Sequence, residues 1–198
     1  MKTAFCFDLD GTVTTTEILP CIASELDIAE EMAVLTQATM DGLIDFRASF
    51  RLRVRLLATI APGRVRDIVA QVPLDPHISD FIRRRTDCFV VSGNLAQWIS
   101  PIIEQLDCGS FASQAGDGEG GLQLEHILDK GAALDCLRQQ GFERIVAVGD
   151  GMNDCAMFDR ADIAIAYGGV HAPVAGLTAR ADYLVNNGRK LCQLLQML

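Results

Sequence analysis

The chain has 198 residues, of which 49% are hydrophobic and 22% charged, as in an ordinary globular protein. The formal net charge is −9 and no long block of like charges occurs, so nucleic acid is an unfavourable partner. No apolar run approaches the roughly 20 residues of a membrane-spanning helix. Because Asp8 interrupts the short apolar stretch at the N-terminus, we expect no signal peptide, no membrane partner and a cytoplasmic location.

The seven cysteines are odd in number and have no CxxC spacing. This pattern favours reduced, mostly buried thiols over a disulfide framework or a zinc site. We therefore expect no structural disulfide, while the oligomeric state stays open.

Apolar runs that end at polar or glycine-containing motifs alternate with helical patterns along most of the chain. This alternation is typical of a parallel sheet covered by helices. A short helix is expected between the last strand and the last helix. The predicted strands are Thr3–Phe7, Cys88–Val91, Ile145–Val148 and Asp162–Ala166, and the predicted helices are Asn94–Gln105, Lys130–Gln139 and Arg189–Met197.

Residues 16–72 interrupt the alternation, because their pattern is helical throughout and contains no convincing strand. The sequence thus predicts an α/β protein with a Rossmann-like three-layer core, a mainly parallel sheet and a small α-helical cap inserted after the first strand. The predicted core comprises residues 1–15 and 73–198, and the predicted cap comprises residues 16–72.

Acidic residues follow two of the predicted strands, in the motifs DLDGT and VGDGMND. Ligands of parallel sheets bind at the carboxyl ends of the strands, so these acids are expected to meet there. Four crowded carboxylates repel one another unless a hard cation such as Mg²⁺ binds them, although solvated loop aspartates are the simpler alternative for a single DxD motif. The four acids are Asp8, Asp10, Asp150 and Asp154.

Two further groups suit a phosphate that completes such a metal site. Ser92 and the Gly93 amide lie where a strand turns into a helix, and unsatisfied backbone N–H groups favour an anion there. Lys130 opens a helix and can offset negative charge. Ser92 can equally cap the helix, and Lys130 can equally be a surface lysine.

DLDGT, VVSGN, the lysine of LDKG and VGDGMND resemble, in order and position, the motifs of haloacid dehalogenase-like phosphatases. The resemblance implies that Asp8 is the nucleophile that becomes an aspartyl-phosphate and that Asp10 is the general acid and base. It also implies Mg²⁺ held by the Asp8 carboxylate, the Asp10 main-chain carbonyl and Asp150, with Asp154 supporting the metal site.

The predicted cap contains an arginine within an apolar stripe. At about 100° per residue, Phe46, Phe50 and Leu57 share a narrow arc that also contains Arg53. Such an arginine either reaches past the edge of the packing to solvent or pairs with an anion, and both alternatives stay open. The opposite side of the same helix carries Arg47, Arg51 and Arg55.

Glu17 has two interpretations. Thr14-x-x-Glu17 is a capping box that can begin the first cap helix. Yet Glu17, Phe46 and Arg53 resemble the cap residues of phosphoserine phosphatases, in which the glutamate meets the substrate amino group and the arginine its carboxylate. The resemblance implies L-phosphoserine as the substrate and serine biosynthesis as the context.

Two asparagines and the histidines complete the candidate residues. Asn94 stands where that family usually has a second glycine, and we favour a helix-capping role over contact with the substrate. Asn153 resembles a residue that helps to order the site, with turn formation as the alternative. The segment GDGEGGLQLEH is shorter than the family's usual flap. His77, His126 and His171 follow no ligand spacing and receive no role.

Three other functions compete with a phosphoserine phosphatase. A phosphotransferase from phosphoserine to homoserine, or a phosphatase for another small phosphomonoester, keeps the same chemistry. A receiver-like signalling domain also holds an aspartyl-phosphate near Mg²⁺, but it needs no cap and no GDGMND motif.

Overall fold

A computed structural model describes residues 1–118 and 121–198. Seven strands form one sheet in the order β4-β3-β2-β1-β5-β6-β7. The strands are β1 (Thr3–Phe7), β2 (Cys88–Leu95), β3 (Gly109–Gly118), β4 (Gly121–His126), β5 (Arg144–Gly149), β6 (Ile163–Tyr167) and β7 (Tyr183–Val185). The helices are α1 (Ile18–Ala23), α2 (Ala29–Met40), α3 (Phe46–Leu57), α4 (Pro62–Val69), α5 (Pro76–Arg83), α6 (Ala96–Leu106), α7 (Lys130–Gln139), α8 (Cys155–Phe158), α9 (Ala175–Thr178) and α10 (Gly188–Met197).

Strand β1 lies in the middle of the sheet and pairs in parallel with β2 and β5. Its side chains alternate between two apolar layers, because successive residues of a strand face opposite sides of the sheet. Phe5 and Phe7 belong to the layer that contains α5, α6 and α10, whereas Ala4 and Cys6 belong to the layer that contains α7, α8 and α9. The predicted three-layer α/β core is therefore confirmed.

The four strands and three long helices expected from the sequence are present, with ends that shift by a few residues. The short helix expected between β6 and the last helix is α9. The sequence pattern missed α5, α8, β7 and an antiparallel hairpin of β3 and β4. This hairpin contains most of the segment GDGEGGLQLEH, whose residues 119 and 120 lie outside the described residues.

Helices α1 to α4, here called the cap helices, all lie between β1 and α5 in the chain. The two segments that connect them to the rest of the chain run side by side. The Thr15 amide donates to the Pro73 carbonyl over 2.9 Å, and the Asp75 amide donates to the Val13 carbonyl over 2.9 Å. We retain the division into a core of residues 1–15 and 73–198 and a cap of residues 16–72 as a proposal that these adjacent connections support.

All seven cysteines have free thiols, and Cys6, Cys88 and Cys192 are buried. Burial raises the pKa of Cys88 to about 12. Across residues 1–118 and 121–198, every helix is too short or too polar to cross a membrane.

Candidate active site

The carboxyl ends of β1 and β5 bring two acidic loops into contact. The Asp8 amide extends the ladder of β1 by donating to the Val148 carbonyl over 2.9 Å. The chain then turns over residues 9–13, where Gly11 has a φ of 70°. A Cβ atom at Gly11 would lie 2.5 Å from Asp150 Oδ2, so only glycine allows the two loops to approach this closely.

Three buried aspartates lie together at this edge of the sheet. Carboxylate oxygens of Asp8, Asp150 and Asp154 lie within 4.8 Å of one another. Asp154 Oδ2 accepts hydrogen bonds from the Asp150 and Gly151 amides, both at 3.0 Å. Asp150 Oδ2 is buried and has no hydrogen-bond partner in the part of the chain that the structure describes. An all-oxygen cluster with one orphaned carboxylate oxygen fits a hard divalent cation.

Lys130, the first residue of α7, offsets part of this negative charge. Its side chain is 3% exposed, and Nζ lies 2.5 Å from Asp8 Oδ1 and 2.6 Å from Asp154 Oδ1. Asp129 caps the helix by accepting from the Gly131 amide over 2.9 Å, which fixes where the lysine side chain starts. The alternative of a surface lysine is therefore wrong.

The pKa values of the acids reflect one cation among several buried carboxylates. Burial, followed by repulsion from Asp154, raises the pKa of Asp8 to about 7 despite the contact with Lys130. Burial, together with repulsion from Asp8 and Asp154, raises the pKa of Asp150 to about 10. Burial opposes the charge on Lys130, but Asp154 and Asp8 outweigh it, so the pKa of Lys130 is raised. A bound divalent cation would favour the ionised carboxylates.

Asp10 faces the cap helices. Its Oδ1 accepts from the Ile18 amide over 2.8 Å, at the start of α1, and its Oδ2 accepts from Asn94 Nδ2 over 2.6 Å. Burial, followed by repulsion from Glu17 and Asp8, holds the pKa of Asp10 well above its ordinary value. Asp10 thus contacts both the last residues of β2 and the first cap helix.

The expectation that Asn94 caps a helix is wrong. Helix α6 begins two residues later, at Ala96, and its N-cap residue is Leu95, whose side chain cannot cap the helix. The pairing of β2 with β3 shifts register between Ser92 and Leu95. Such a bulge redirects side chains, and here the side-chain Nδ2 of Asn94 contacts Asp10.

Ser92 and Gly93 occupy the same bulge. Ser92 Oγ accepts from the Asn94 amide over 3.1 Å, so it closes a local turn and does not cap α6. A Cβ atom at Gly93 would lie 2.6 Å from Phe46 Cζ, which places the ring of Phe46 directly against the backbone of β2. Phe46 also stacks on Phe50, with ring centroids 5.5 Å apart and planes 7° apart.

A cavity of about 280 Å³ extends from the acidic loops to the cap helices. Its wall contains four of the predicted acids and amides of the core, Asp8, Asp10, Asn94 and Asp150, and the half-buried Asn153 of the VGDGMND loop. The cap side of the wall includes Glu17, Thr36, Phe46, Phe50 and Arg53. One cavity therefore contains residues from both groups that the sequence singled out.

Arg53 lies at the cap end of this cavity and is only 3% exposed. Nη1 donates to Thr36 Oγ1 over 3.1 Å, while Nε is buried without a hydrogen-bond partner among the described residues. Burial lowers the pKa of Arg53, and the more distant carboxylates of Asp10 and Glu17 counter this only in part. The side chain does not reach solvent, whereas its neighbours Arg47, Arg51 and Arg55 are exposed.

The predicted capping box of Thr14 and Glu17 is wrong. Thr14 Oγ1 donates to the Leu9 and Thr16 carbonyls, over 3.1 and 2.8 Å, and the side chain of Glu17 makes no cap at α1. Glu17 instead lines the cavity, and its Oε1 lies 3.2 Å from His171 Nε2. Sequence reasoning gave His171 no role, and the only signal for it was its place in a loop after β6.

The sequence matches a known family and several curated proteins. The family model of haloacid dehalogenase-like hydrolases matches residues 5–159. Phosphoserine phosphatase SerB2 of Mycobacterium tuberculosis is 32% identical over 180 residues, which cover 84% of this chain and 44% of that protein. Phosphoserine phosphatase of Methanocaldococcus jannaschii is 31% identical over 183 residues, which cover 84% of this chain and 85% of that protein.

Solved structures agree with the family match. A substrate-bound phosphoserine phosphatase complex has a TM-score of 0.84 and 27% identity, and the match covers 100% of this chain and 98% of the other. A structure of phosphoserine phosphatase with an analogue of its phospho-aspartyl intermediate matches with the same score and coverage. The chain belongs to the haloacid dehalogenase-like hydrolases.

Proposed function

We propose that this protein is a Mg²⁺-dependent phosphatase that converts L-phosphoserine to L-serine and phosphate through an aspartyl-phosphate at Asp8. One observation gives this proposal its main support. The carboxylate of Asp8, which pairs with Lys130, and the guanidinium of Arg53 line the same cavity. Within residues 1–118 and 121–198, the guanidinium has only the neutral Thr36 as a hydrogen-bond partner. The phosphoserine phosphatases among the relatives and solved structures support the same substrate.

The chain supplies a nucleophile and a proton-transfer group. The Asp8 carboxylate attacks phosphorus, the bond from phosphorus to the seryl oxygen breaks, and Asp10 gives its proton to the leaving oxygen. Water then attacks the phosphorus of the aspartyl-phosphate, Asp10 takes the proton, and the acyl–phosphate bond breaks to release phosphate. Lys130 remains beside Asp8 throughout and offsets the charge of the phosphoryl oxygens.

The cation completes this arrangement. Asp8, Asp150 and the main-chain carbonyl of Asp10 would hold Mg²⁺, with Asp154 orienting the loop, and the ion would stabilise charge on the phosphoryl group. Ser92 Oγ and the Gly93 amide would bind the phosphate oxygens that the ion leaves free. Asn153 would help to order the substrate at the same loop.

The cap end of the cavity supports an amino acid as the leaving group. Arg53 needs an anion, because a buried guanidinium with only a neutral partner is costly. The substrate carboxylate would pair with Arg53, its amino group with Glu17, and its carbon chain would contact Phe46. We also propose that a small phosphorylated metabolite, rather than nucleic acid or a membrane, is the partner, and that the protein works in the cytoplasm.

The test is phosphate release with Mg²⁺ from L-phosphoserine, phosphothreonine, phosphoethanolamine and a nucleoside monophosphate. Asp8→Asn serves as the inactive reference. We expect L-phosphoserine to be the best substrate and Arg53→Ala to raise its KM about 100-fold, as loss of a charged hydrogen-bonded pair predicts. Phosphoethanolamine lacks the carboxylate, so its turnover should change little.

Arg51→Ala is the matched control, because Arg51 is an exposed arginine of the same helix. A different best substrate, or an Arg53→Ala effect equal on L-phosphoserine and phosphoethanolamine, would contradict the substrate assignment but not the chemistry at Asp8. Adding homoserine and analysing the products distinguishes hydrolysis from transfer. No turnover of any phosphomonoester would favour a receiver-like domain.

A further inference from the structure

Glu17 stands at the junction of the core and the cap helices. Backbone hydrogen bonds fix the residues just before it, and α1 begins directly after it. Its side chain is 18% exposed and lines the cavity, so it ends in a partly solvated space. A glutamate side chain has several rotamers, and a bond from a neighbour is needed to select one of them.

His171 supplies that bond from a distant part of the chain. It lies in the loop between β6 and α9, 154 residues away along the chain, and its Nε2 is 3.2 Å from Glu17 Oε1. The ring packs on the turn that follows Asp10, since a Cβ atom at Gly11 would lie 3.2 Å from His171 Cδ2. Further along the same loop, the Val174 amide donates to the Asp150 carbonyl over 3.4 Å.

The contact occupies only one of the two carboxylate oxygens of Glu17. No hydrogen bond joins the second oxygen, Oε2, to any residue within 1–118 or 121–198. Glu17 can therefore keep its bond to His171 and still accept a second donor from the cavity. A carboxylate with one oxygen held and one oxygen available is prepared to bind an ammonium group.

We propose that His171 is a positioning residue that orients Glu17 for the amino group of the substrate and so contributes to substrate selectivity. The inference rests on the proposed function, because it gives Glu17 an ammonium ligand. His171 needs only its Nε2–H for this role, and both the neutral tautomer that carries this proton and the imidazolium ion have it. The raised pKa of His171, caused chiefly by its hydrogen bond to Glu17, agrees with the contact.

The test compares two substrates that differ only in the amino group. L-phosphoserine and 3-(phosphonooxy)propanoate share the phosphate, the carbon chain and the carboxylate. We expect His171→Ala to lower kcat/KM for L-phosphoserine about tenfold, mainly through KM, as a hydrogen bond of moderate strength predicts. The same variant should leave 3-(phosphonooxy)propanoate unchanged, because that substrate has no ammonium for Glu17.

Two more variants separate positioning from a structural role. His171→Gln keeps an N–H donor and should recover most of the selectivity. In the double variant with Glu17→Gln, His171→Ala should add nothing, because residues that act as a unit are not additive. His77→Ala is the control for loss of an exposed histidine elsewhere.

The outcomes are distinct. Equal losses on both substrates, or additive losses in the double variant, would overturn the role of His171 while leaving a phosphoserine phosphatase in place. A wild-type protein that does not hydrolyse L-phosphoserine would refute the proposed function and this inference with it. Thermal unfolding of each variant shows whether an activity change follows from a change in stability.

Discussion

The two ends of the cavity differ in whether a buried charge has an oppositely charged partner. At the sheet edge, Lys130 contacts Asp8 and Asp154 at 2.5 and 2.6 Å, so a buried cation and two anions are paired within the protein. At the cap end, Arg53 is equally buried, but within residues 1–118 and 121–198 its guanidinium hydrogen-bonds only to the neutral Thr36 and its Nε has no partner. The charge of Arg53 therefore has no anionic partner among the described residues, and we propose that a ligand supplies one.

If Arg53 binds the substrate carboxylate as proposed above, this difference separates chemistry from recognition. A phosphoryl group is common to all phosphomonoesters, and the side chains for it are held by one another before any substrate arrives. A carboxylate is present only in some substrates, and the side chain for it becomes paired only when such a substrate binds. Discrimination then follows from the cost of leaving Arg53 unpaired with the wrong ligand.

Removing the paired cation should have the largest effect on stability. In Lys130→Met, Asp8 and Asp154 lose their shared cation, and breaking a buried ion pair typically costs about 3–5 kcal/mol. We expect a loss of that size in the free energy of unfolding, measured by chemical denaturation without added metal.

Two variants control this measurement. Lys130→Met combined with Asp154→Asn should lose less stability than Lys130→Met alone, because one of the uncompensated charges is gone. Arg160→Met breaks an exposed pair with Asp135, whose side chains are 43% and 53% exposed, and should cost less than about 1 kcal/mol. Equal effects of Lys130→Met and Arg160→Met would mean that the buried pairs of Lys130 stabilise the fold no more than an exposed pair does.

Removing the charge of Arg53 should affect substrate binding more than stability. Arg53→Met has a similar length and no charge, so we expect the free energy of unfolding to stay within about 1 kcal/mol or to rise. The same change should raise the KM for L-phosphoserine about 100-fold. A large loss of stability in Arg53→Met would show that Thr36 suffices as its partner and would remove the contrast with Lys130.

The smallest expected effect concerns the bond from Asn94 to Asp10. Asn94→Gly should slow turnover of L-phosphoserine about tenfold, because Asp10 then loses one of the two donors that orient it. p-Nitrophenyl phosphate has a good leaving group that needs little protonation, so its turnover should fall less. Equal losses on both substrates would indicate a general disturbance of β2.

Much of the fold was predictable because the signals were local. The apolar run Thr3–Phe7, followed by two aspartates and Gly11, marks a buried strand that ends at an acidic turn. The helical stripe of α3 likewise separated the buried Arg53 from its exposed neighbours. The hairpin of β3 and β4 was missed because its residues are rich in glycine and polar side chains, which resemble a loop.

The missed contacts depend on tertiary structure. The hydroxyl of Thr14 bonds to Leu9 instead of capping α1, because residue 14 is extended and pairs with Leu74. Asn94 contacts Asp10 at a bulge that no local sequence pattern predicts. His171 meets Glu17 from the far end of the chain, and no spacing rule relates residues so distant in sequence.

The adjacent connections of the cap helices have an evolutionary consequence. Because Val13 and Thr15 pair with Asp75 and Pro73, the chain leaves and re-enters the sheet at almost the same point. The gap between the two ends is short enough that an insert of another length or shape can join there without moving β1 or Asp8. Under the proposed function, the cap helices that recognise the substrate can therefore change while the loops that hold Asp8 stay the same.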